Sequence, residues 1–344
     1  MKIVHVIFSL TTGGAETMLV DILNEQIKYI AVELIIINNI INPELLSRID
    51  GRVKIIRINR KPKNFNLWFI IKLNYLLIKS KYTTIHCHNH TIVKIIFYSL
   101  RKKMILTVHD IGYKTENFKK YKNLYSISRC VHDDLLTRYN LSSEIIYNGI
   151  YCEYIKNKEK ATNCNFKIIV IGRLEHKKKG QDLLIKALRI LKDDYNIDFV
   201  LDIIGTGSSL PYLIELVNEC GLSNHVNFLG LKSRIYIYEN LLNYDLFVQP
   251  SIFEGFGLTV AEALASRTPV LVSNSDGPIE IIENGKFGFF FKKGDVNDLL
   301  KEILYIHKNI ENEIVKEKVN KGFEHVYSNF DIKNVALNYI SKYK

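Results

Sequence analysis

Two carboxylates lie close together in the most distinctive run of the sequence, PSIFEGFGLTVAEALA, at residues 250–265. We expect a strand to end before this run and a helix to begin inside it, so that Glu254 lies on a loop and Glu262 lies about one turn into the helix. The first helical amides, at Leu258 and Thr259, would then be free to meet an anion. A carboxylate in such a turn can accept hydrogen bonds from sugar hydroxyls. A glutamate that only favours the helix dipole would explain Glu262 but not the whole run.

A second run, GRLEHKKKG at residues 172–180, carries cations at the end of a predicted strand. Ligands of open α/β sheets bind at that edge. Arg173 offers a planar pair of donors and Lys179 a compact positive charge, which together suit a diphosphate. These residues alone leave the alternative of a solvated basic loop equally open.

Glycine pairs follow two other predicted strands. Gly13 and Gly14 precede a predicted helix over residues 17–27, so their backbone amides could approach a phosphate at the helix N-terminus. Gly205 and Gly207 form a similar pair, which could equally be a tight turn. Neither pair is specific enough to establish a function.

Short β-branched runs alternate with longer segments of helical period, a pattern typical of parallel sheets covered by helices. The predicted strands of the first half are Lys2–Phe8, Val32–Ile37, Val53–Ile58, Thr84–Cys87, Met104–Val108 and Ile145–Tyr147. Those of the second half are Lys167–Ile171, Phe199–Ile204, Val226–Phe228, Leu246–Gln249 and Val270–Val272. We therefore expect two doubly wound domains, with a linker in the polar stretch 156–165 and a terminal helix over 329–344.

The length and composition agree with two globular domains. The chain has 344 residues, more than one hydrophobic core usually supports, with 47% hydrophobic and 24% charged residues. Its five cysteines show no Cys-x-x-Cys pair, which argues against a zinc site and for a reducing compartment. The N-terminal apolar stretch is too short for a secretory signal, so we expect a cytoplasmic location.

The net charge of +11 is concentrated in the first half, where residues 1–155 hold 22 Lys and Arg against 12 Asp and Glu. No acidic residue occurs between Asp50 and Asp110. This tract predicts an anionic partner. Nucleic acid is disfavoured because no nucleic-acid-binding motif accompanies the charge. The apolar stretch 65–78 is shorter than the roughly 20 residues that span a bilayer, so it is either a helix covering the sheet or an amphipathic helix on an anionic membrane.

Four motifs in this order closely resemble those of the retaining glycosyltransferases of family 4 (glycosyl transferases group 1). They are Gly13-Gly14-Ala15-Glu16, Asn148-Gly149-Ile150, Gly172-Arg173-Leu174 leading to Lys179-Gly180, and the run from Glu254 to Glu262. The resemblance implies the GT-B architecture, an α/β fold of two Rossmann-like domains facing a central cleft, with a C-terminal helix crossing back to the N-domain. Residues 1–155 with helix 329–344 would bind the acceptor, and residues 156–328 the nucleotide-sugar donor.

The resemblance also implies roles for single residues. Arg173 and Lys179 would hold the donor diphosphate, although Lys178 competes with Lys179. Glu262 would hold the nucleotide ribose and Glu254 the sugar hydroxyls. The amides of Leu258, Thr259, Gly13 and Gly14 would lie near the phosphates. His109, in Thr107-Val108-His109-Asp110, would approach the donor sugar, with His86, His88 and His90 as competitors. Tyr151 stands where the family usually has an acid, which weakens any role for that turn.

The implied reaction moves a sugar from a nucleotide-diphosphate sugar, UDP-sugar being favoured and GDP-sugar the alternative, to a saccharide or lipid-linked saccharide. Such an acceptor belongs to bacterial surface polysaccharide or glycan biosynthesis, at the inner face of the membrane. No metal is expected, because the sequence contains no Asp-x-Asp clamp for a divalent ion. Two alternatives remain open: a nucleotide-sugar epimerase of related fold, and a non-catalytic partner subunit of a glycan assembly complex.

Overall fold

A computed structural model describes residues 1–11, 13–62, 64, 66–157 and 166–343. Its chain divides into two compact units: Met1–Ile150 with Ile332–Lys344, and Tyr151–Asp331. The first boundary falls before the predicted domain limit at residue 155. The predicted linker, 156–165, lies outside the described residues from 158 onward.

The first unit contains one parallel sheet of seven strands. Its strands are β1 (Lys2–Ile7), β2 (Ala31–Asn38), β3 (Lys54–Arg60), β4 (Thr84–Cys87), β5 (Met104–Val108), β6 (Asn123–Ser126) and β7 (Glu144–Ile145). They lie in the order β3-β2-β1-β4-β5-β6-β7, so the winding reverses between β1 and β4. Its helices are α1 (Gly14–Gln26), α2 (Pro43–Ser47), α3 (Leu67–Lys79), α4 (Arg129–Tyr139) and, from the C-terminus, α13 (Ile332–Lys342).

The second unit contains a parallel sheet of six strands. They are β8 (Phe166–Ile171), β9 (Phe199–Ile204), β10 (Val226–Gly230), β11 (Leu246–Gln249), β12 (Val270–Ser273) and β13 (Phe289–Phe291). Their order is β10-β9-β8-β11-β12-β13, which reverses between β8 and β11. The helices are α5 (His176–Lys179), α6 (Gln181–Tyr195), α7 (Leu210–Glu219), α8 (Arg234–Asn240), α9 (Leu258–Ala265), α10 (Asp276–Ile281), α11 (Val296–Asn309) and α12 (Glu313–Asn329).

The strands and helices follow from where their apolar side chains fall. Strands covered by helices on both faces are apolar throughout, and β11 and β12 are buried along their full length. Helix α6 instead buries one stripe, formed by Leu184, Ile185, Ala187, Leu188 and Leu191. This stripe joins the core of the second unit.

The terminal helix α13 belongs to the first unit and packs against α1. It begins at Ile332, later than the predicted start at residue 329, because α12 continues as far as Asn329. The amide of Ile332 donates to the carbonyl of Ile150 at 2.9 Å. A Cβ on Gly149 would lie 2.8 Å from the Cα of Ile332, so this glycine permits the close approach of the two segments.

Two strands were missing from the sequence prediction, β6 and β13. Each is short, with four and three residues. The run Asn123–Ser126 mixes polar and apolar residues, and the three residues Phe289–Phe291 are too few to show a period. Strand β7 is also displaced, since it ends at Ile145, where the prediction began.

Among the described residues, no helix combines the length and the apolar character needed to cross a bilayer.

Candidate functional site

The cationic run at residues 172–180 and the glutamate-containing run at residues 250–265 meet at one edge of the second sheet, where the winding reverses. Strand β8 leads into Gly172 and Arg173, and the neighbouring strand β11 leads into the loop that carries Glu254. Ligands of doubly wound sheets bind at the carboxyl ends of the strands on either side of such a reversal. The fold therefore brings together residues that are far apart in sequence.

Two glycines allow the loops at this edge to pack backbone against backbone. A Cβ on Gly180 would lie 2.0 Å from the carbonyl oxygen of Pro250, and one on Gly205 would lie 1.9 Å from that of Gly172. Both have positive φ, at +67° and +139°. Gly180 thus fixes the end of α5, and with it Lys179, against the start of the 250–257 loop.

Lys179 and Glu254 form an ion pair at this edge, with the Nζ of Lys179 on Oε2 of Glu254. The two side chains are 17% and 19% exposed, so ligand atoms can still reach them. Gln249 Nε2 lies 3.3 Å from the same carboxylate oxygen and 2.8 Å from Ser251 Oγ. Since Gln249 Oε1 also accepts from Thr259 Oγ1 at 3.3 Å, a polar network links Glu254 to the first turn of α9.

The backbone of Arg173 is held by a hydrogen bond, whereas its side chain is exposed to solvent. Its carbonyl accepts a 2.9 Å bond from Gln181 Nε2. Its guanidinium is 60% exposed and lies 3.4 Å from Glu175, a contact that is weak in water. The side chain can therefore turn towards an anion without disturbing the fold.

The two candidate lysines make different contacts. The carbonyl of Lys178 accepts backbone bonds from Ile252 and Phe253, at 2.9 and 3.2 Å, and so joins the two loops. The ammonium of Lys179 contacts Glu254.

Helix α9 starts at Leu258, after Gly257, which has positive φ (+105°) and no side chain to cap the helix. The amides of Leu258 and Thr259 belong to the first turn, where helical amides lack an intrahelical acceptor. They offer an anion a binding position beside the polar network of Glu254.

Glu262 lies in α9 and is only 5% exposed. Arg234, the first residue of α8, approaches it with Nε 3.5 Å from Oε1. The Arg234 guanidinium also lies 5.0 Å from the Tyr238 ring and 5.9 Å from the Tyr151 ring. Sequence reasoning missed Arg234, because a lone arginine after a capping serine belongs to no motif. Tyr151, noted as a departure from the family pattern, lies beside this pair.

The first unit places four histidines at the point where its own sheet reverses. We call His5 on β1, His86 on β4, His88 after β4 and His109 after β5 the histidine cluster. His5 and His86 are register partners on adjacent strands. Ring centroids are 4.7 Å apart for His5 and His86, 4.5 Å for His86 and His88, and 5.5 Å for His88 and His109. His90 lies apart from them, against the rings of Tyr113 and Phe118.

Burial keeps the histidine cluster neutral at physiological pH. It lowers the pKa of His5 to about 4 and that of His109 to about 4. Burial also holds the pKa values of His86 and His88 well below their ordinary value, with a smaller effect from neighbouring histidines. A neutral imidazole carries one N–H donor and one acceptor, so each ring can pass a hydrogen bond onward.

Three of these rings are also spaced for a metal ion, since ligand atoms of His5, His86 and His88 lie within 4.8 Å of one another. Both nitrogens of all three rings already have protein partners. An ion would have to displace those hydrogen bonds, so the arrangement favours a hydrogen-bonded network.

The side chain of Glu16 lies over the turn formed by Gly13 and Gly14 in the first unit. Glu16 Oε2 lies 2.5 Å from the position of a Cβ on Gly13, and Glu16 Oε1 accepts from Thr11 at 2.9 Å. Gly14 is the first residue of α1. An anion near the amides of Gly13 and Gly14 would have to compete with this carboxylate.

Comparison with known proteins finds glycosyltransferases among the relatives of this chain. A curated relative from Campylobacter jejuni, N-acetylgalactosamine-N,N'-diacetylbacillosaminyl-diphospho-undecaprenol 4-alpha-N-acetylgalactosaminyltransferase, is 26% identical over 86% of this chain and 87% of its own. An uncharacterised glycosyltransferase of Methanocaldococcus jannaschii is 28% identical over 59% of this chain and 60% of its own. The chain thus spans less than two thirds of that relative's length. It spans only 40% and 52% of the lengths of two other relatives.

A solved structure shares the fold. The crystal structure of Anabaena Alr3699/HepE in complex with UDP and glucose matches with a TM-score of 0.81 at 19% identity, covering 99% of each chain. The predicted α/β fold of two Rossmann-like domains, GT-B, is therefore confirmed.

Two family models match consecutive parts of the sequence and together cover most of it. Residues 12–154 match "Glycosyltransferase Family 4", and residues 153–321 match "Glycosyl transferases group 1". The resemblance of the four motifs is thus confirmed on both halves, and the chain belongs to the group 1 glycosyltransferases of family 4.

Proposed function

We propose that this protein is a retaining, metal-independent glycosyltransferase that moves a sugar from a nucleoside diphosphate sugar to a saccharide or lipid-linked saccharide. The observation that carries the proposal is the arrangement of Lys179, Glu254, Arg173 and the α9 N-terminus at the reversal point of the second sheet. This unit binds the donor, and the first unit binds the acceptor.

The donor diphosphate is held by the two cations and the helix amides. Arg173 turns its exposed guanidinium onto the phosphate oxygens, and Lys179 shares its ammonium between phosphate and Glu254. The amides of Leu258 and Thr259 add donors at the start of α9. A UDP-sugar is favoured over a GDP-sugar, because the Anabaena neighbour was crystallised with UDP.

The two glutamates recognise hydroxyl groups. Glu254, oriented by Lys179 and Gln249, accepts from the donor sugar hydroxyls. Glu262, held by Arg234, accepts from the nucleotide ribose. Because each carboxylate already has a cationic partner, its orientation is set before the donor arrives.

Bond cleavage builds negative charge on the leaving diphosphate while the sugar becomes oxocarbenium-like. Groups that bind this charge more strongly as it develops lower the barrier, by about 3 kcal/mol for each well-placed donor. Arg173 and Lys179 supply the compensating positive charge in place of a divalent ion. The donor phosphate itself takes the acceptor proton on the same face, which retains the anomeric configuration without a covalent sugar–enzyme intermediate; this part rests on the family resemblance.

A lipid-linked acceptor is supported by two observations. The first half of the chain carries the basic surplus, 22 Lys and Arg against 12 Asp and Glu in residues 1–155. The Campylobacter relative is named for an acceptor linked to diphospho-undecaprenol. Such an acceptor combines an anionic diphosphate with a membrane-embedded chain, and surface glycan synthesis is the process that uses it.

Product analysis tests the proposal. The protein is incubated in EDTA with UDP- and GDP-sugars labelled in the sugar, with and without saccharide and lipid-linked saccharide acceptors. We expect labelled glycoside only when acceptor is present, with free nucleoside diphosphate as the second product. Conversion of the donor sugar to its epimer without acceptor would identify an epimerase, and a protein that binds donor but forms no product would be a non-catalytic partner.

We further infer that the first unit contacts an anionic membrane through α3. One face of this helix exposes large apolar side chains, and we call it the α3 surface: Leu67, Trp68, Ile71, Tyr75 and Ile78. The ammonium groups of Lys72 and Lys79 lie 4.9 and 5.6 Å from the rings of Trp68 and Tyr75. Apolar anchors flanked by lysines are typical of helices that lie in the headgroup region.

Vesicle flotation tests the α3 surface. We expect the protein to float with phosphatidylglycerol vesicles and not with phosphatidylcholine vesicles, and to be released by high salt. Ile71→Glu should weaken the partition about tenfold, since it removes one exposed apolar side chain that the membrane would bury. Ile235→Glu is the matched control, because Ile235 is a similarly exposed isoleucine on α8 of the second unit. Equal failure to bind both vesicle types would exclude this contact.

A further inference from the structure

A chain of hydrogen bonds runs from the C-terminus of the protein to His109. Gln26 Nε2 donates to the hydroxyl of Tyr343 at 2.9 Å, and Gln26 Oε1 lies 2.8 Å from His5 Nε2. His5 Nδ1 lies 2.9 Å from His88 Nε2. His88 Nδ1 then lies 3.2 Å from His109 Nε2. All of these residues belong to the first unit.

The Gln26 amide determines which atom donates and which accepts in each of these hydrogen bonds. Because its nitrogen donates to Tyr343, its oxygen must accept, and the proton of His5 therefore lies on Nε2. His5 Nδ1 is then an acceptor, which places the proton of His88 on Nε2. By the same rule His109 carries its proton on Nε2, and its Nδ1 has a free lone pair.

The opposite assignment of donors and acceptors is disfavoured because of its effect at His109. His109 Nδ1 is shielded from solvent and has no hydrogen-bond partner among the residues that the structure describes. Reversing every bond would place a proton there and leave a buried donor unsatisfied. A buried N–H without an acceptor is rarer, and more costly, than a bare acceptor. Burial lowers the pKa values of His5 and His109 to about 4, so the rings stay neutral and each keeps a single proton.

We propose that Gln26 and Tyr343 are positioning residues that hold His109 in its Nε2–H tautomer, so that its Nδ1 accepts a hydrogen bond from a ligand hydroxyl. The inference rests on the proposed function only in taking that hydroxyl to belong to a sugar substrate. The tautomer itself is a property of the protein, independent of any substrate.

This tautomer determines what His109 can bind. A neutral Nδ1 lone pair accepts from an O–H group but has no proton to offer a phosphate or carboxylate oxygen. These hydrogen bonds therefore make His109 selective for a hydroxyl and prevent its Nδ1 from donating to an anion.

A branch of the network supplies a matched control. Tyr343 also contacts His86 Nδ1 at 2.8 Å, His86 Nε2 contacts Thr107 Oγ1 at 2.7 Å, and Thr107 contacts the hydroxyl of Tyr339 at 3.1 Å. Tyr339 and Tyr343 are both 1% exposed. Replacing either by phenylalanine removes one buried hydroxyl, but only the Tyr343 hydroxyl contacts Gln26.

The experiment is nitrogen NMR of the full chain with labelled histidine rings, in which the His109 signals are assigned by their loss in His109→Gln. In the wild type we expect His109 to show a protonated Nε2 and an unprotonated Nδ1. In Tyr343→Phe the Gln26 amide loses its acceptor and is free to rotate, so the signals should shift towards the Nδ1–H tautomer. Gln26→Met should shift them in the same direction, and Tyr339→Phe should leave them unchanged.

Activity provides a second readout. For transfer, Tyr343→Phe should lower kcat about tenfold through loss of the correct tautomer, with Tyr339→Phe near wild type. A protonated Nδ1 in the wild type, an unchanged His109 in both Tyr343→Phe and Gln26→Met, or equal shifts in Tyr339→Phe and Tyr343→Phe would overturn the inference. If the wild type transfers no sugar, the proposed function fails, while the nitrogen spectra still decide the tautomer.

Discussion

Arg173→Ala is expected to lower kcat for glycosyl transfer by at least about a hundredfold, because a cation that binds the developing negative charge contributes about 3 kcal/mol. Its guanidinium is 60% exposed and has only a weak contact with Glu175, so folding should be unaffected. Glu254→Gln is expected to be similarly inactive. The amide keeps the size of the side chain but loses the charge that pairs with Lys179 and accepts from sugar hydroxyls. Initial rates at saturating donor measure both effects.

Lys177→Ala is the matched control for this prediction. Lys177 is an exposed lysine of α5, the short helix that follows Arg173, and its removal changes the net charge of this segment by as much as Arg173→Ala does. We expect its rate to stay within about twofold of the wild type, since exposed charges at a distance are screened. Equal losses in both variants would mean that the loop acts only through its overall charge, and unchanged turnover in Arg173→Ala or Glu254→Gln would refute their assigned roles.

Acidification is expected to destabilise the protein strongly between pH 6.5 and pH 4 because of the histidine cluster. Burial lowers the pKa values of His5 and His109 to about 4 in the folded protein, below the ordinary histidine value of 6.5. The unfolded chain therefore binds protons first, so the stabilisation is complete above pH 6.5 and is lost as the pH falls towards 4. From pH 7 to pH 5 each such histidine should remove about 2 kcal/mol from the free energy of unfolding.

Urea unfolding followed by circular dichroism at pH 7 and pH 5 measures this loss. The variant His5→Gln should be less stable at pH 7 but less sensitive to pH, since one of the titrating rings is gone. Carboxylates with lowered pKa values, such as Asp50, act only at lower pH and do not contribute in this window. An unfolding free energy that stays constant from pH 7 to pH 5 would show that the cluster is not held neutral by burial.

Most residues of the proposed donor site could be selected from the sequence alone. Arg173, Lys179, Glu254 and Glu262 lie in short runs whose residue types and spacing are themselves informative. The alternation of strands and helices places such runs at the carboxyl edge of a sheet. What these runs could not show is that Lys179 and Glu254 pair directly, because the contact joins residues on loops after two different strands.

The parts that were missed depend on contacts between distant segments. Gln26 and Tyr343 are 317 positions apart and meet only because α13 packs on α1. Neither residue belongs to a motif, and a glutamine or tyrosine in a helix gives no sign of its partner. Arg234 is similar, since its significance comes from Glu262 on another helix. Periodicity describes a segment alone, whereas these roles arise when segments pack together.

We propose that protein cations and helix amides bind a diphosphate without a divalent metal, and the decisive experiment is calorimetric titration of the full chain with UDP and with uridine in EDTA. We expect UDP to bind at least about a hundredfold more tightly than uridine in EDTA, added Mg²⁺ to change this ratio little, and Arg173→Ala to remove much of the difference. Equal affinities for UDP and uridine, or UDP binding that appears only when Mg²⁺ is added, would contradict it.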